Sequence, residues 1–230
     1  MLRPILLGIS LLAMMGNRPI ALAQVPPSAA ERAGYTGLFA AAARGDAADI
    51  TRLAASGANV QAHDGHGRKP LHVAAYAAQG GAMRALASAG ADPNALDFDR
   101  YDIATIAAVA NDLSTLRLAL ELGCSAKNIT SRYEGTALIA AAHLGHSEVV
   151  RELIRADAPL DHVNNLGWTA LIESIVLGDG GARHIATLKA LVDAGANVNI
   201  ADRSGVTPLR LASSRGYREM TAILEKAGAR

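Results

Sequence analysis

Aromatic side chains are scarce: one Trp, five Tyr and two Phe make up 3% of the 230 residues. A core built around large rings is excluded, so close packing must come from small and branched aliphatic residues. Cysteine is rarer still. Cys124 is the only one, so no disulfide can form within the chain and stability rests on apolar burial. A lone cysteine is most simply a small buried residue; pairing between two chains is the alternative. Neither charge dominates, with 22 basic and 21 acidic side chains. No basic stripe is present, which excludes the electrostatic footprint of a nucleic-acid binder. Long apolar runs are missing too, except at the start.

Residues 1–23, MLRPILLGISLLAMMGNRPIALA, have the pattern of a secretory signal peptide. Arg3 is the basic region, Ile5 to Met15 the apolar run, and Ala21-Leu22-Ala23 a small-x-small cleavage site before Gln24. The apolar run is shorter than the roughly 20 residues of a spanning helix. No cysteine stands at the cleavage site to carry a lipid. The expectation is cleavage after Ala23, a periplasmic or secreted product, and no membrane contact afterwards. Removing Arg3 and Arg18 leaves 20 basic against 21 acidic residues, a formal charge of −1. Residues 24–33, QVPPSAAERA, read as a Pro/Ser/Ala linker.

What fills the rest is one pattern, six times over. Its phase is marked by Thr36, Lys69, Asp102, Thr136, Thr169 and Thr207, at intervals of 33, 33, 34, 33 and 38 residues. Two places on stand Leu38, Leu71, Ala104, Leu138, Leu171 and Leu209. Small pairs follow: Ala41-Ala42, Ala74-Ala75, Ala107-Ala108, Ala141-Ala142, then the looser Ser174-Ile175 and Ala212-Ser213. Each copy closes on a pair such as Gly57-Ala58 or Gly195-Ala196. A fixed period near 33 residues marks a solenoid. Such a stack predicts a surface that binds, and argues against a pocket that turns substrate over.

Within the fourth copy, Thr136 is a good N-cap and helical periodicity starts behind it. Thr207-Pro208 adds proline at the first helical position. A first helix near 136–144 is Ala-rich, and Gly145 ends it. A second, near 147–156, puts Val149, Val150, Leu153 and Ile154 on one face. The polar stretch Asp161 to Gly167 fits a hairpin-like finger into the next copy.

Gly205-Val206-Thr207-Pro208-Leu209-Arg210-Leu211-Ala212 resembles the G-x-T-P-L-H-x-A core of ankyrin repeats. Lys69-Pro70-Leu71-His72-Val73-Ala74-Ala75 and Gly90-Ala91-Asp92-Pro93-Asn94 resemble it as well. The resemblance covers residues 34–230 and, with the leader, points to an exported bacterial ankyrin-repeat protein. It implies an all-α solenoid of about six stacked repeats, each a helix-turn-helix with a β-hairpin finger. It also implies one protein partner on the concave face, a monomer, no cofactor and no catalytic motif. Asp102-Ile103-Ala104-Thr105 departs from T-P-L-H but keeps the phase. The fifth copy is longer by Gly178-Asp179-Gly180-Gly181-Ala182-Arg183, expected to bulge as a loop between its helices. Its glycines lack the strand before and the Gly-Lys-Ser/Thr after that a phosphate cradle needs.

The family varies at the fingers and on the exposed side of the first helix. By that resemblance the partner-binding candidates are Tyr35, His66, Arg68, Tyr76, Phe98, Tyr101, Arg132, Tyr133, His143 and Trp168. Asp99, Leu144, Leu166, Leu177, Arg203 and Arg215 fall at the same places. Six of the eight aromatics are among them; Phe39 and Tyr217 are structural. Tyr, Trp and Arg dominate interface energy, although packing against neighbouring fingers is the competing role, Trp168 above all. Tyr101→Ala is therefore expected to weaken binding at little cost in stability, with the binding energy centred on copies two to four.

The seven histidines raise an alternative, a metal-dependent factor or enzyme using the histidine-bearing fingers. His63 and His66 flank Asp64, and His143, His146 and His162 lie near one another in sequence. A zinc site needs three or four converging ligands, and His72 and His146 occupy structural positions of the repeat. Asn128-Ile129-Thr130 matches a glycosylation acceptor, accidentally if the chain is bacterial.

Overall fold

The computed structural model describes residues 24–230. The expected signal peptide, residues 1–23, and its cleavage lie outside the described residues. A short helix α1 (Ala29–Gly34) comes first. Six helix pairs follow: α2 (Gly37–Arg44) and α3 (Ala47–Ala55), α4 (Pro70–Tyr76) and α5 (Gly80–Ser88), α6 (Ile103–Val109) and α7 (Leu113–Glu121), α8 (Ala137–His143) and α9 (Ser147–Arg155), α10 (Ala170–Val176) and α11 (Ala182–Asp193), α12 (Pro208–Ser214) and α13 (Arg218–Lys226). First helices stack on first helices and second on second, most loosely between α5 and α7. This is the all-α solenoid of about six repeats that the period demanded.

The phased residues start the first helices. The side chains of Asp102, Thr136 and Thr169 accept from Thr105, Ile139 and Ile172 N–H at 2.7, 3.3 and 3.2 Å. Each satisfies an N–H that has no partner inside its helix. Lys69 cannot do this. Its own N–H donates to His72 Nδ1 at 2.9 Å, and His72 Nε2 meets Ala95 O at 2.9 Å. His146 Nδ1 likewise meets Ala108 O of the preceding copy at 2.9 Å. Both histidines are structural, as their places in the repeat implied.

The alanine pairs 41–42, 74–75, 107–108 and 141–142 are all buried, with Leu71, Leu86, Leu116, Leu138, Leu153 and Leu171 around them. A methyl at the contact lets adjacent helices come close. Each buried leucine contributes roughly 1.5–3 kcal/mol. Cys124 is buried among them, and burial pushes its thiol pKa up, which keeps it unreactive.

The insertion in the fifth copy forms the expected loop between α10 and α11 over residues 178–181, and that loop is tied down. The last residues of the insertion lengthen α11 to 12 residues, and the loop before it is held at both ends. Asp179 Oδ1 accepts from Gly181 N–H and meets His184 Nδ1, each at 2.9 Å. The Tyr217 hydroxyl donates to Gly178 O at 2.9 Å, and the loop packs on that ring. A hydroxyl and an imidazole within reach turned a glycine-rich bulge into a joint with the sixth copy.

Tyr101 is only 3% exposed, contrary to the expectation that it faces a partner. Tyr101→Ala should therefore cost on the order of 3 kcal/mol, and Leu153→Ala about 2–5 kcal/mol. Urea unfolding of both variants checks this. A Tyr101→Ala protein as stable as the parent would return the residue to the surface.

Candidate functional site

Each finger is a tight turn locked by one side chain. Five residues before the phased position stand Asp64, Asp97, Ser131, Asn164 and Asp202. Asp64 Oδ1 accepts from His66 and Arg68 N–H at 2.9 and 3.0 Å. Asn164 and Asp202 repeat the arrangement with Leu166 and Trp168, and with Ser204 and Val206. Short polar side chains that bond the backbone two residues on stabilise such turns without a ladder. Among the described residues the fingers carry no extended strand, only the isolated bridge Thr130–Gly135. Successive fingers join by backbone: Phe98 N–H to His66 O at 3.0 Å, Ser131 to Arg100 and Asn165 to Tyr133 at 2.9 Å. Gly67 must be glycine here. Its φ is +75° and a Cβ would lie 2.3 Å from the Phe98 ring.

The segment read as a linker, residues 24–33, is not one. It lies along the first helices of copies one to three. Gln24, buried, donates through Nε2 to Thr105 O at 2.9 Å. Arg68 Nη1 donates to Val25 O at 3.0 Å. Pro26, Pro27 and Arg32 line one cavity with Ala43, Val73 and Tyr76. Glu31 in α1 pairs with the Arg68 guanidinium and caps α1 through the Ser28 N–H, 2.7 Å away. Bonds from Ser28, and then the Arg68 charge, hold the Glu31 carboxyl at a pKa of about 2.

Arg68 was expected to meet a partner and does not. It is fully buried, bound through Nε to Asp64 Oδ2 at 2.7 Å. The Tyr35 hydroxyl donates to the same oxygen at 2.7 Å, and its ring packs 5.3 Å from Phe39. Tyr76 is half-buried with its hydroxyl unpartnered beneath the arm. Trp168 is half-buried against the core. Arg68 and Tyr101 thus leave the surface set, and Tyr35, Tyr76 and Trp168 show only part of their rings.

Of the remaining candidates, His66, Phe98, Arg132 and Tyr133 are exposed on the fingers, and His143 is half-buried at the end of α8. Phe98 is 66% and Tyr133 45% exposed, with Leu166 and Leu177 close behind. Arg132 is exposed and pairs with Asp99 at 2.7 Å. His66 stands apart, 3.3 Å from Glu31. His63 packs its ring 5.3 Å from Phe98. Asp64 is occupied by Tyr35 and Arg68, so the histidine fingers converge on nothing. Among the described residues no group of three or more His, Cys, Asp or Glu could hold a metal ion. The metal-dependent reading has no site there.

Sequence reasoning missed one residue entirely. Tyr101, Thr105, Tyr133, Ile139, His143, Asn164 and Glu173 line a small cavity of about 70 Å³ between copies three and five. Glu173, in α10, is 4% exposed. Asn164 Nδ2 donates to its Oε1 at 2.9 Å, while Oε2 has no partner. His143 Nδ1 stands 3.5 Å off. Burial pushes the Glu173 carboxyl up to about 7, with the Asn164 bond opposing. Burial, followed by the charges of His184 and His146, holds His143 below its ordinary value. The signal was present in the period: four places after the phased residue the other copies have Ala40, Val73, Ile106, Ala140 and Leu211.

Comparison with known proteins agrees with this geometry. The family model for ankyrin repeats in three copies matches residues 10–97 and 104–202, and one for many copies matches 181–225. The chain belongs to the ankyrin-repeat family, whose repeats are generally protein-binding scaffolds and typically non-catalytic. It is 34% identical over 194 residues to the ankyrin repeat protein YahD of Escherichia coli (strain K12), across 82% of this chain and 94% of that protein. A solved ankyrin repeat domain from Acinetobacter baumannii AYE is 44% identical with a TM-score of 0.79, covering 84% of this chain and 98% of its own. The ankyrin repeat domain of Bcl-3, a member of the IkappaB family, is 28% identical with a TM-score of 0.76, covering 86% and 88%.

Two outcomes follow from the buried charges. Arg68→Ala leaves Asp64 with one partner fewer inside the fold and unties the arm. It should cost roughly 3–5 kcal/mol and make residues 24–34 accessible to limited proteolysis; an arm that stays protected would show that Arg68 does not hold it.

Glu173 gives a sign that pH can read. Below pH 4.5 the folded and unfolded chains both carry the proton. Between 4.5 and about 7 only the unfolded chain ionises, so stability falls as pH rises. At about 1.4 kcal/mol per unit the loss reaches roughly 3–3.5 kcal/mol above pH 7. Glu173→Gln should be more stable than the parent by that amount at pH 8 and equal to it near pH 4, in denaturant melts at both pH values.

Proposed function

We propose that the chain is a non-catalytic scaffold that works in the periplasm and docks one partner protein on the concave face, over copies three to five. The observation that carries this is the distribution of exposed apolar side chains. Phe98, Tyr133, Leu166 and Leu177 are exposed in those copies, while the arm covers the corresponding surface of copies one and two. An apolar patch rimmed by polar groups marks an interaction surface. The fingers that carry it are tied to one another by backbone bonds, so little ordering entropy is lost on binding. The arm therefore moves the centre of recognition one copy along the stack from copies two to four.

The export half of the reading is supported by the leader pattern alone. Among the described residues no helix is long and apolar enough to cross a membrane.

One experiment serves both halves. The native protein is isolated from the periplasmic fraction, its N-terminus read by mass spectrometry and its co-purifying partner identified. An N-terminus at Gln24 is expected, and Phe98→Ala and Tyr133→Ala should each weaken the partner by more than about 1 kcal/mol. An intact Met1 on a cytoplasmic protein would sink the location. A binding map centred on α13 or on residues 178–183 would sink the face.

A further inference from the structure

We infer that the cavity between copies three and five is a subsite for a lysine or arginine side chain of the partner polypeptide, with Glu173 Oε2 as its acceptor. The inference deepens the docking reading given above and rests on it. A buried carboxylate stands where every other copy has an aliphatic residue. The stack does not need it there: Ala140, one copy earlier, fills the same place with a methyl. Glu173 is bonded on one oxygen only, and that bond, from Asn164, fixes its orientation. The other oxygen is buried beside the cavity and makes no hydrogen bond, with His143 Nδ1 3.5 Å from it. An unpaired acceptor out of reach of water is costly. A stack that holds such a group at a loss of stability fits a site kept for its ligand.

The walls suit a cation on a long stem. Ile139, Ala140 and Val109 are apolar, Thr105 and Thr130 are polar, and the Tyr101 and Tyr133 rings also line the cavity. Lys and Arg bury their methylenes along such surface while the charged end finds an acceptor, and an aromatic wall adds attraction for the cation. Among the described residues no lysine or arginine lines the cavity. Arg132, the nearest in sequence among the lining fingers, is paired with Asp99. His143, the one basic neighbour 3.5 Å away, is held toward its neutral form by burial. The arm shows that a polypeptide already lies on this face up to the cavity wall: the Gln24 side chain bonds Thr105 O, and Thr105 lines the cavity.

The test uses the full chain and capped pentapeptides of alanine with a central lysine, arginine, norleucine or glutamate. Binding is followed by NMR at the Glu173 carboxyl and at the Thr105, Ile139 and His143 amides. The lysine and arginine peptides should give saturable shifts at these groups, with norleucine and glutamate at least tenfold weaker. Glu173→Gln keeps the volume and the bond from Asn164, so it stays folded, and it should weaken the lysine peptide at least tenfold. Glu148→Gln, at an exposed glutamate of α9, should change nothing. Equal binding of norleucine, unchanged affinity in Glu173→Gln, or no saturable shift with lysine would each overturn the subsite. A partner that needs Phe98 and Tyr133 but ignores Glu173→Gln would also remove it, while leaving the docking face in place.

Discussion

Among the described residues no helix can stand alone, and that constraint orders everything else. The paired helices run seven to nine residues, twelve in α11. Isolated helices below about 12–15 residues are marginal in water. Each must gain its stability from the copy beside it, through one layer of alanines and leucines. The alanine pairs set how closely neighbours approach, and that approach sets the spacing of the fingers. Finger spacing in turn lets the backbone of one tip bond the next, and so holds Phe98, Tyr133 and Leu166 in a row. An exposed apolar row results from a packing requirement several bonds away.

Much of this was written in the period. The phased Thr and Asp residues are caps, the alanine pairs are buried, and Cys124, His72 and His146 sit where the repeat placed them. These are contacts between residues a fixed distance apart, so one dimension of sequence suffices to find them. What the period could not show were contacts that break it. Gln24 meets Thr105 across 81 residues, and no spacing rule links them. The resemblance puts the place just before the phased residue on the surface, yet Arg68 and Tyr101 are buried there while Trp168 is half-buried. Whether that side chain is covered depends on its neighbours: the arm closes over Arg68, and Tyr101 packs into the core cluster.

Glu173 was legible in principle and passed over. Aligning the copies by their phase shows one carboxylate in an aliphatic column. The departures from T-P-L-H and from the interval stand out in the sequence because they change motif or length. A point change inside a helix leaves both intact. The structure adds what no alignment of copies could: one oxygen of that carboxylate is bonded and the other is not. Within a repetitive fold, function is most visible as a residue the repeat does not require.

The arm changes how the stack comes apart. In a simple solenoid each copy touches only its neighbours, and unfolding can begin at either end. Here the segment from Gln24 to Gly34 touches copies one, two and three at once. It adds a coupling that skips a neighbour, so the first three copies share one opening event. Among the described residues no segment spans copies four to six in this way, and α13 packs chiefly on α11 and α12. Copies four to six are therefore coupled only neighbour to neighbour, while the first three open as one unit.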